Sequence, residues 1–574
     1  MLKKILGSRL LGSHAGTRRM RAAMALTPLA LGAVLVACGG GGSDAGPAAT
    51  ADMVLKNGYV YTVDGSRSVA QSVAVKDGKI VYVGDDKGGL PWAGPGTEVV
   101  DLQGRMLTPG FIDGHNHVSD HPESLFWLST RPFSTIEDIG AALQKFRADH
   151  PGLQQLRAIG WDAEMLKKLS AERGLTPAQL LDQYVSDIPV LILHDWHHDL
   201  WVNSKALANA RIDANTPDPA GAFFVRVPGT AGHGVPNGVA REFGAMSLIE
   251  KALPEPEFTQ QQFRAAILDW QKLAAARGVT AVLVPQPRPT VNFYEALLAL
   301  DKEGLLTARY DVAVWADETR GVQQLPELLA TRDKYKGQGK NFKIDTVKIF
   351  GTGSSAWEES DALVWDQARL NETVAALDKE GLRVYIHDIG PVASYNAMLD
   401  AFAYARERNG VRDARHTITH VNAEANGAIA RFKQLDVRAD INERPYPKAF
   451  FDAGVKATLS SDYPVREFYP SSRLGTALSA GVSLEQAIAA HTIGGAELIF
   501  AEKETGSIEV GKAADLVVLD RKLFGLAPQE VSAARPLMTV AAGKVVFRSA
   551  ALGGKDAPAA SKPAPVVGEA AHRH

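Results

Sequence analysis

"TPGFIDGHNHVSDH", Thr108 to His121, ends an apolar run in two histidines one residue apart, His115 and His117, with a carboxylate close by. A strand alternates its faces, so positions two apart point the same way. Extended backbone here aims both imidazoles at one point, which is metal-ligand geometry. On a polar loop the same spacing carries no chemistry. The fold reading turns on which of these holds.

Downstream, buried strands alternate with helices. The strand candidates are "MLTPGFIDGH", "GVTAVLVPQ", "LTARYDVAVWA", "KIDTVKIFG", "GLRVYIHDIG", "RHTITHVN", "LDVRADIN" and "VKATLSSDYP". Amphipathic segments such as "TVAALDKEG" and "SYNAMLDAFAYARERNG" lie between them. Eight strand–helix units are what a (β/α)8 TIM barrel requires. One interval is too long: His117 to Gly278 is about 160 residues, against roughly 30 for one unit. A large insertion after strand 1, at about 120–275, is expected over the face where loops form active sites.

The distinctive polar residues fall at the C-terminal ends of these strands. His115 and His117 close the first, Lys348 is late in the fourth, His387 ends the fifth, His420 ends the sixth and Asp462 follows the eighth. In a barrel these ends meet at one rim, where active sites form. Three imidazole-bearing strands and a carboxylate there make a nitrogen/oxygen site suited to Zn2+ or a similar divalent ion.

Both flanks read differently. Residues 52–107 hold short strands with "NG" and "DG" hairpin signals, and the same texture returns in "GSIEVGKAADLVVLD" and "PLMTVAAGKVVFR". One small β-sandwich built from both chain ends, 52–107 with 503–549, is expected around a barrel spanning 108–502. The Ala/Pro-rich stretch 550–574 reads as a disordered tail, with His572 and His574 solvated.

The chain has 574 residues and a formal net charge of −3. Six basic residues and no acidic one precede Cys38, so without them 56 basic face 65 acidic residues, a balance near −9. No nucleic-acid-binding motif accompanies that acidity. The basic start followed by "AAMALTPLALGAVLVA" reads as a signal peptide over 1–37, too short to span a bilayer. "LVAC" (35–38) resembles a bacterial lipobox, which makes Cys38 a lipidation site and 38–51 a flexible tether. Cys38 is the single cysteine, so disulfides within the chain are impossible. Gly39 in place of Asp gives no signal for inner-membrane retention. The expected location is the bacterial envelope, exported and facing the outer membrane or periplasm, with the lipid anchor as the membrane contact. "TRRMRAAM" weakly resembles a twin-arginine signal, leaving that route and general secretion both open.

In order along roughly 52–548, "VLKNGYVYTVD", "VKDGKIVYVG", "PGFIDGHNH", "GWD", "HDLWVNSKAL", "VKIF", "IHDIG", "GVKATLSSDYPV" and "GSIEVGKAADLVVLD" resemble the amidohydrolase superfamily, specifically the YtcJ-like branch of amidohydrolase family 3. The resemblance implies that His115 and His117 bind one metal and that His387 and His420 bind a second. It implies a CO2-derived carbamate on Lys348 bridging them, and Asp462 as both ligand and catalytic base. One or two ions per chain are compatible with it. A lysine ammonium would repel cations, so Lys348 joins such a site only as a carbamate; otherwise it contacts substrate or a carboxylate. The insertion residues Trp161, Asp162, His198 and Asn203 match where this branch shapes its substrate pocket; Trp161 can equally be packing, and Asn203 a helix N-cap. His121, His194 and His197 match no role, and His233 sits in an exposed Gly/Pro-rich loop.

The chain departs from the branch at three places. "KIFGTG" puts Thr352 where an Asp is usual, "HDIGP" carries Asp388 and Pro391 in place of "HAIGD", and "THV" puts Thr419 before His420. Asp388 is a candidate to replace one of the displaced carboxylates. The expected function is hydrolysis of an amide or other non-peptide C–N bond of a small molecule through a metal-activated hydroxide. The alternatives are a lactone or ester hydrolase on the same site, or a metal- or solute-binding lipoprotein without turnover. A homo-oligomer is compatible with the sequence.

Overall fold

The computed structural model describes residues 50–219, 221–254, 257–285, 291–353, 363–466 and 468–554. The expected signal peptide, Cys38, nearly all of the tether, and the tail from 555 with His572 and His574 lie outside them. Residues 550–554, expected within the tail, carry a short 3-10 turn, Ala550–Leu552. No helix among the described residues is long and apolar enough to cross a membrane.

The centre is an eight-stranded parallel sheet with β1 (Phe111–Asp113), β2 (Val279–Val284), β3 (Arg309–Trp315), β4 (Phe342–Phe350), β5 (Arg383–His387), β6 (Thr417–Thr419), β7 (Arg438–Ile441) and β8 (Ala457–Leu459) in sequential order. The strands are apolar and β-branched because helices cover their outer faces. Asp366 caps the helix Gln367–Lys379 by accepting from Arg369 N, and Thr259 with Gln262 forms a capping box on Gln260–Ala276. β1 and β8 meet just past their ends: Asp462 N donates to His115 O at 2.8 Å, and Ser461 N to Asp113 Oδ1 at 2.9 Å. The sheet is therefore a nearly closed TIM barrel, as the strand count requires.

The first expected strand is two. Met106–Pro109 pairs with Leu516–Leu519 in another sheet, and the chain then turns at Gly110 into β1. Pro109 has no amide to continue a ladder. A Cβ on Gly110 would lie 2.2 Å from Thr280 Oγ1, so only glycine lets the break pass this close to β2.

Two further sheets come from both chain flanks. One runs Lys79–Gly84, Ser72–Lys76, Met53–Lys56, Glu98–Asp101; the other runs Lys544–Arg548, Pro536–Ala541, Leu516–Leu519, Met106–Pro109, Tyr59–Tyr61, Val69–Ala70. Leu55, Val60, Val73, Leu107, Leu516 and Val540 share one core between them. Between β1 and β2 the chain builds a sheet of its own, ordered Phe223–Arg226, Pro236–Arg241, Asp199–Val202, Val190–Leu193, Leu156–Ile159, Leu128–Ser129.

Candidate metal centre

The barrel brings His115, His117, Lys348, His387, His420 and Asp462 to one rim. Their places follow from strand geometry: His387 is the last residue of β5, His420 the first after β6, and Asp462 lies three past β8. His420 (φ 64°) and Asp462 (φ 59°) adopt the left-handed conformation. Such backbone costs a non-glycine residue on the order of 1–3 kcal/mol and clusters at functional sites.

Three donor atoms converge. His115 Nε2 lies 3.1 Å from His117 Nε2 and 3.3 Å from Asp462 Oδ1, and His117 Nε2 lies 3.4 Å from the same oxygen. Ligands each at about 2.1 Å from one ion sit roughly 3.0–3.4 Å apart, so the triangle has the edges of a coordination face. His420 joins it: His115, His420 and Asp462 each offer a ligand atom within 4.8 Å of the others, all buried. His387 Nε2 is buried with no hydrogen-bond partner among the described residues, and its ring centroid is 4.4 Å from that of His420. A buried imidazole nitrogen without a partner, beside two others and a carboxylate, fits a divalent ion.

The tautomers are set from beneath. Thr419 Oγ1, Ser460 Oγ and Tyr385 Oη each donate to Asp440 Oδ2 at 2.8 Å. With those protons committed, Thr419 and Tyr385 can only accept from His115 Nδ1, at 2.8 and 3.0 Å. His115 therefore carries its proton on Nδ1 and turns a lone pair from Nε2 to the centre. Asn442 Nδ2 donates to Ser460, so its Oδ1 accepts from His420 Nδ1 at 2.8 Å, which fixes His420 likewise.

Electrostatics favour ligation. Burial, assisted by the Lys348 charge, holds His115 well below the usual histidine range. Burial with His420 and Lys348 does the same to His387, and burial pushes His420 down to about 3. All three are neutral at pH 7, as ligands must be. Burial alone would raise Asp462; a hydrogen bond from His117 and nearby positive charge, including Arg466, instead hold it below the usual carboxylate range. Burial pushes Lys348 down to about 7 against the opposing pull of Asp462 and Asp440. Its Nζ lies 4.9 Å from the Phe350 ring and 5.5 Å from that of Tyr385.

Of the insertion residues, His198 stands against this cluster. Its ring is 5.5 Å from His387, 5.6 Å from Phe350 and 5.3 Å from Phe243, with Nδ1 held by Glu242 at 2.8 Å. Trp161 packs edge-on to His194 and Trp201 in the insertion's core. Asp162 is exposed and caps the helix Ala163–Arg173. Asn203 is spent on backbone: Oδ1 accepts from Val190 and Ala206, and Nδ2 donates to Val185 and Ile188, leaving no polar atom for a ligand. His194 lies between Trp161 and Trp196, His121 bonds Tyr463 and Asp269, and His233 is exposed.

The departures have local explanations. Thr352 Oγ1 donates to Asp388 Oδ1 at 3.3 Å, and the same oxygen accepts from Gly390 N and Ser394 Oγ, so this Asp388 oxygen braces the loop after β5. Thr419 lies beneath His115. Sequence reasoning missed Asp440, Tyr385, Asn442 and Ser460. The available signal was a polar side chain inside an otherwise apolar barrel strand for Asp440 and Tyr385, as in "VRADIN", and one residue past a strand for Asn442 and Ser460.

Comparison with known proteins agrees with this geometry. Residues 98–547 match the amidohydrolase family. The chain is 30% identical over 470 residues to the exoenzymes regulatory protein AepA of Pectobacterium carotovorum subsp. carotovorum, covering 77% of this chain and 94% of that protein. It is 26% identical to the N-substituted formamide deformylase of Arthrobacter pascens, covering 86% and 97% respectively. A crystal structure of an uncharacterized metal-dependent hydrolase from Pyrococcus horikoshii superposes with a TM-score of 0.62 at 21% identity, over 83% of this chain and 99% of that one. That last likeness shows the fold.

Proposed function

The chain belongs to the amidohydrolase family, metal-dependent hydrolases of C–N bonds, and we propose that it hydrolyses a small secondary amide bearing an apolar N-substituent. The observation that carries the hydrolytic reading is the 3.1–3.4 Å triangle of His115, His117 and Asp462 beside the His387 nitrogen, which has no hydrogen-bond partner among the described residues. These residues and His420 would hold a divalent ion, Zn2+ by the chemistry of the donor set. When bound, the ion supplies an activated water and polarises the scissile carbonyl.

The chain's own residues do the rest. Asp462, ionised at neutral pH, accepts the proton of the attacking water and passes it to the leaving amine nitrogen. His198, held by Glu242, contacts the substrate beside His387. Phe350 and Phe243, 4.5 Å apart with Trp315 beyond, give the amide's substituent an apolar wall. The similarity to a formamide deformylase supports a substrate of that type. Lys348, pushed down to about 7 by burial, would join such a site as a carbamate: its amine nitrogen would bond to CO2 and give up a proton to solvent, exchanging a cation for an anion. Export with a lipid anchor at Cys38 is part of the proposal and rests on the sequence.

The test measures metal content by mass spectrometry on protein purified without added metal or a histidine tag, beside His115→Ala, followed by assay on N-substituted formamides, esters and lactones. Metal in the wild type that falls in the variant, with turnover fastest on the formamides, is the expected result. Turnover confined to lactones or esters would replace the amide reading. No metal after reconstitution with bicarbonate would overturn the hydrolase reading for this chain.

A further inference from the structure

A second group of metal-ligating side chains lies outside the centre just described. Asp120, Glu123 and His197 are all buried, and each offers a donor atom within 4.8 Å of the other two. His197 Nδ1 is 3.2 Å from Asp120 Oδ2, and His197 Nε2 is 3.3 Å from Glu123 Oε2. The two carboxylates come from successive turns, Val118–Asp120 and His121–Phe126, where a three-residue spacing puts side chains on one face. The histidine arrives from far along the chain, in the loop before Asp199–Val202, with a left-handed backbone at φ 63°.

The cluster adjoins the rim without being part of it. Asp120 Oδ2 is also 3.5 Å from His117 Nδ1, the face of that ring opposite the nitrogen turned to Asp462. One imidazole therefore separates the two groups, and Asp120 faces both.

We propose that Asp120, Glu123 and His197 form a second divalent-cation site, taking a first-row ion such as Zn2+ or Mn2+. One imidazole and two carboxylates are a nitrogen/oxygen donor set of the kind such ions accept. The opposing reading is a hydrogen-bonded link in which His197 bridges the two carboxylates through one nitrogen each. An ion needs a single nitrogen of that ring, so the readings differ in stoichiometry.

The experiment titrates metal-stripped full-length protein with Mn2+ and counts bound equivalents by calorimetry and mass spectrometry. Wild type is compared with Glu123→Gln and His197→Asn. Each variant is expected to bind one equivalent fewer, or to bind it at least tenfold more weakly, while keeping the ion at His115 and Asp462, which doubles as a check on folding. Unchanged stoichiometry and affinity in both variants would overturn the site. Should either variant fail to fold, the His115→Ala protein decides: it should still show bound Mn2+ by electron paramagnetic resonance that Asp120→Asn removes, and no bound signal overturns the proposal. That arm is independent of whether the principal centre is catalytic.

Discussion

The backbone nitrogen of Asp462 donates to the carbonyl oxygen of His115 across 2.8 Å, and the side chains of the same two residues stand 3.3 Å apart. The contact that draws the last barrel strand to the first therefore also sets carboxylate against imidazole. Closure and site geometry are one relationship here, so the donor triangle exists only when the barrel is complete.

Replacing Asp462 by Asn keeps that backbone bond and the side-chain shape but removes the base and one negative charge. Turnover is expected to fall by about 10²–10⁴, the usual worth of general base catalysis, with the histidines still able to hold an ion. Steady-state kinetics beside metal analysis checks this; a variant with bound metal and undiminished kcat would show that Asp462 is not the base.

Thr419→Val tests the support beneath the centre. The hydroxyl accepts from His115 Nδ1 and donates to Asp440, and valine fills the same space without either bond. Loss of such an outer partner lowers metal affinity by about 10–100-fold. Chelator competition reads the change directly. An affinity equal to wild type would mean that Tyr385 alone holds the ring.

How much of this was legible in the sequence differs by residue. The apolar strands and the polar residues at or just past their ends gave the barrel and drew His115, His117, His387, His420, Lys348 and Asp462 together, because rim position is a local property. His115 and His117 lie two and four residues past β1, so their convergence comes from the turn after the strand and not from the expected alternation. Asn203 and Asp162 both act as helix N-caps, a role the sequence offered beside the pocket for Asn203 and not for Asp162, since an N-cap and a substrate contact use the same side-chain types. Asp440, Tyr385 and Ser460 went unnoticed because their meaning is cross-strand: each donates to or accepts from a residue on another strand. The break at Pro109–Gly110 was hidden within one continuous apolar run. Asp120, Glu123 and His197 could not be grouped at all, because three strands of the inserted sheet, with the helices between them, separate the last from the first two.

Glu318 predicts a pH effect on stability. It is buried just past β3, and burial, with Asp317 and Glu242 adding to it, pushes its carboxyl up to about 8 from 4.5. Between those values the folded state keeps a proton that the unfolded state releases, so stability falls as pH rises through the window, by up to a few kcal/mol at 1.36 kcal/mol per unit. Below about 4.5 both states are protonated and the effect vanishes. Glu318→Gln should leave the melting temperature little changed at pH 5 and raise it at pH 8. Parallel melting curves for the two proteins at both values would contradict the argument.

The opposite end of the barrel carries a buried ion pair on which the strands depend. Arg383 at the start of β5 donates through Nη2 to Asp311 Oδ2 at 2.8 Å and through Nε to Thr346 Oγ1 at 2.9 Å, tying β3, β4 and β5 together. Both charged side chains are essentially inaccessible. Arg383→Met leaves Asp311 with Lys343, 3.3 Å away and less buried, as its one cation among the described residues, beside the Thr346 hydroxyl at 3.4 Å, and removing one partner of such a pair costs about 3–5 kcal/mol. Adding Asp311→Asn should recover part of the loss, because the uncompensated charge, more than the missing contact, carries the penalty. Urea denaturation of the single and double variants separates the two causes: a double variant no more stable than Arg383→Met would place the loss in packing.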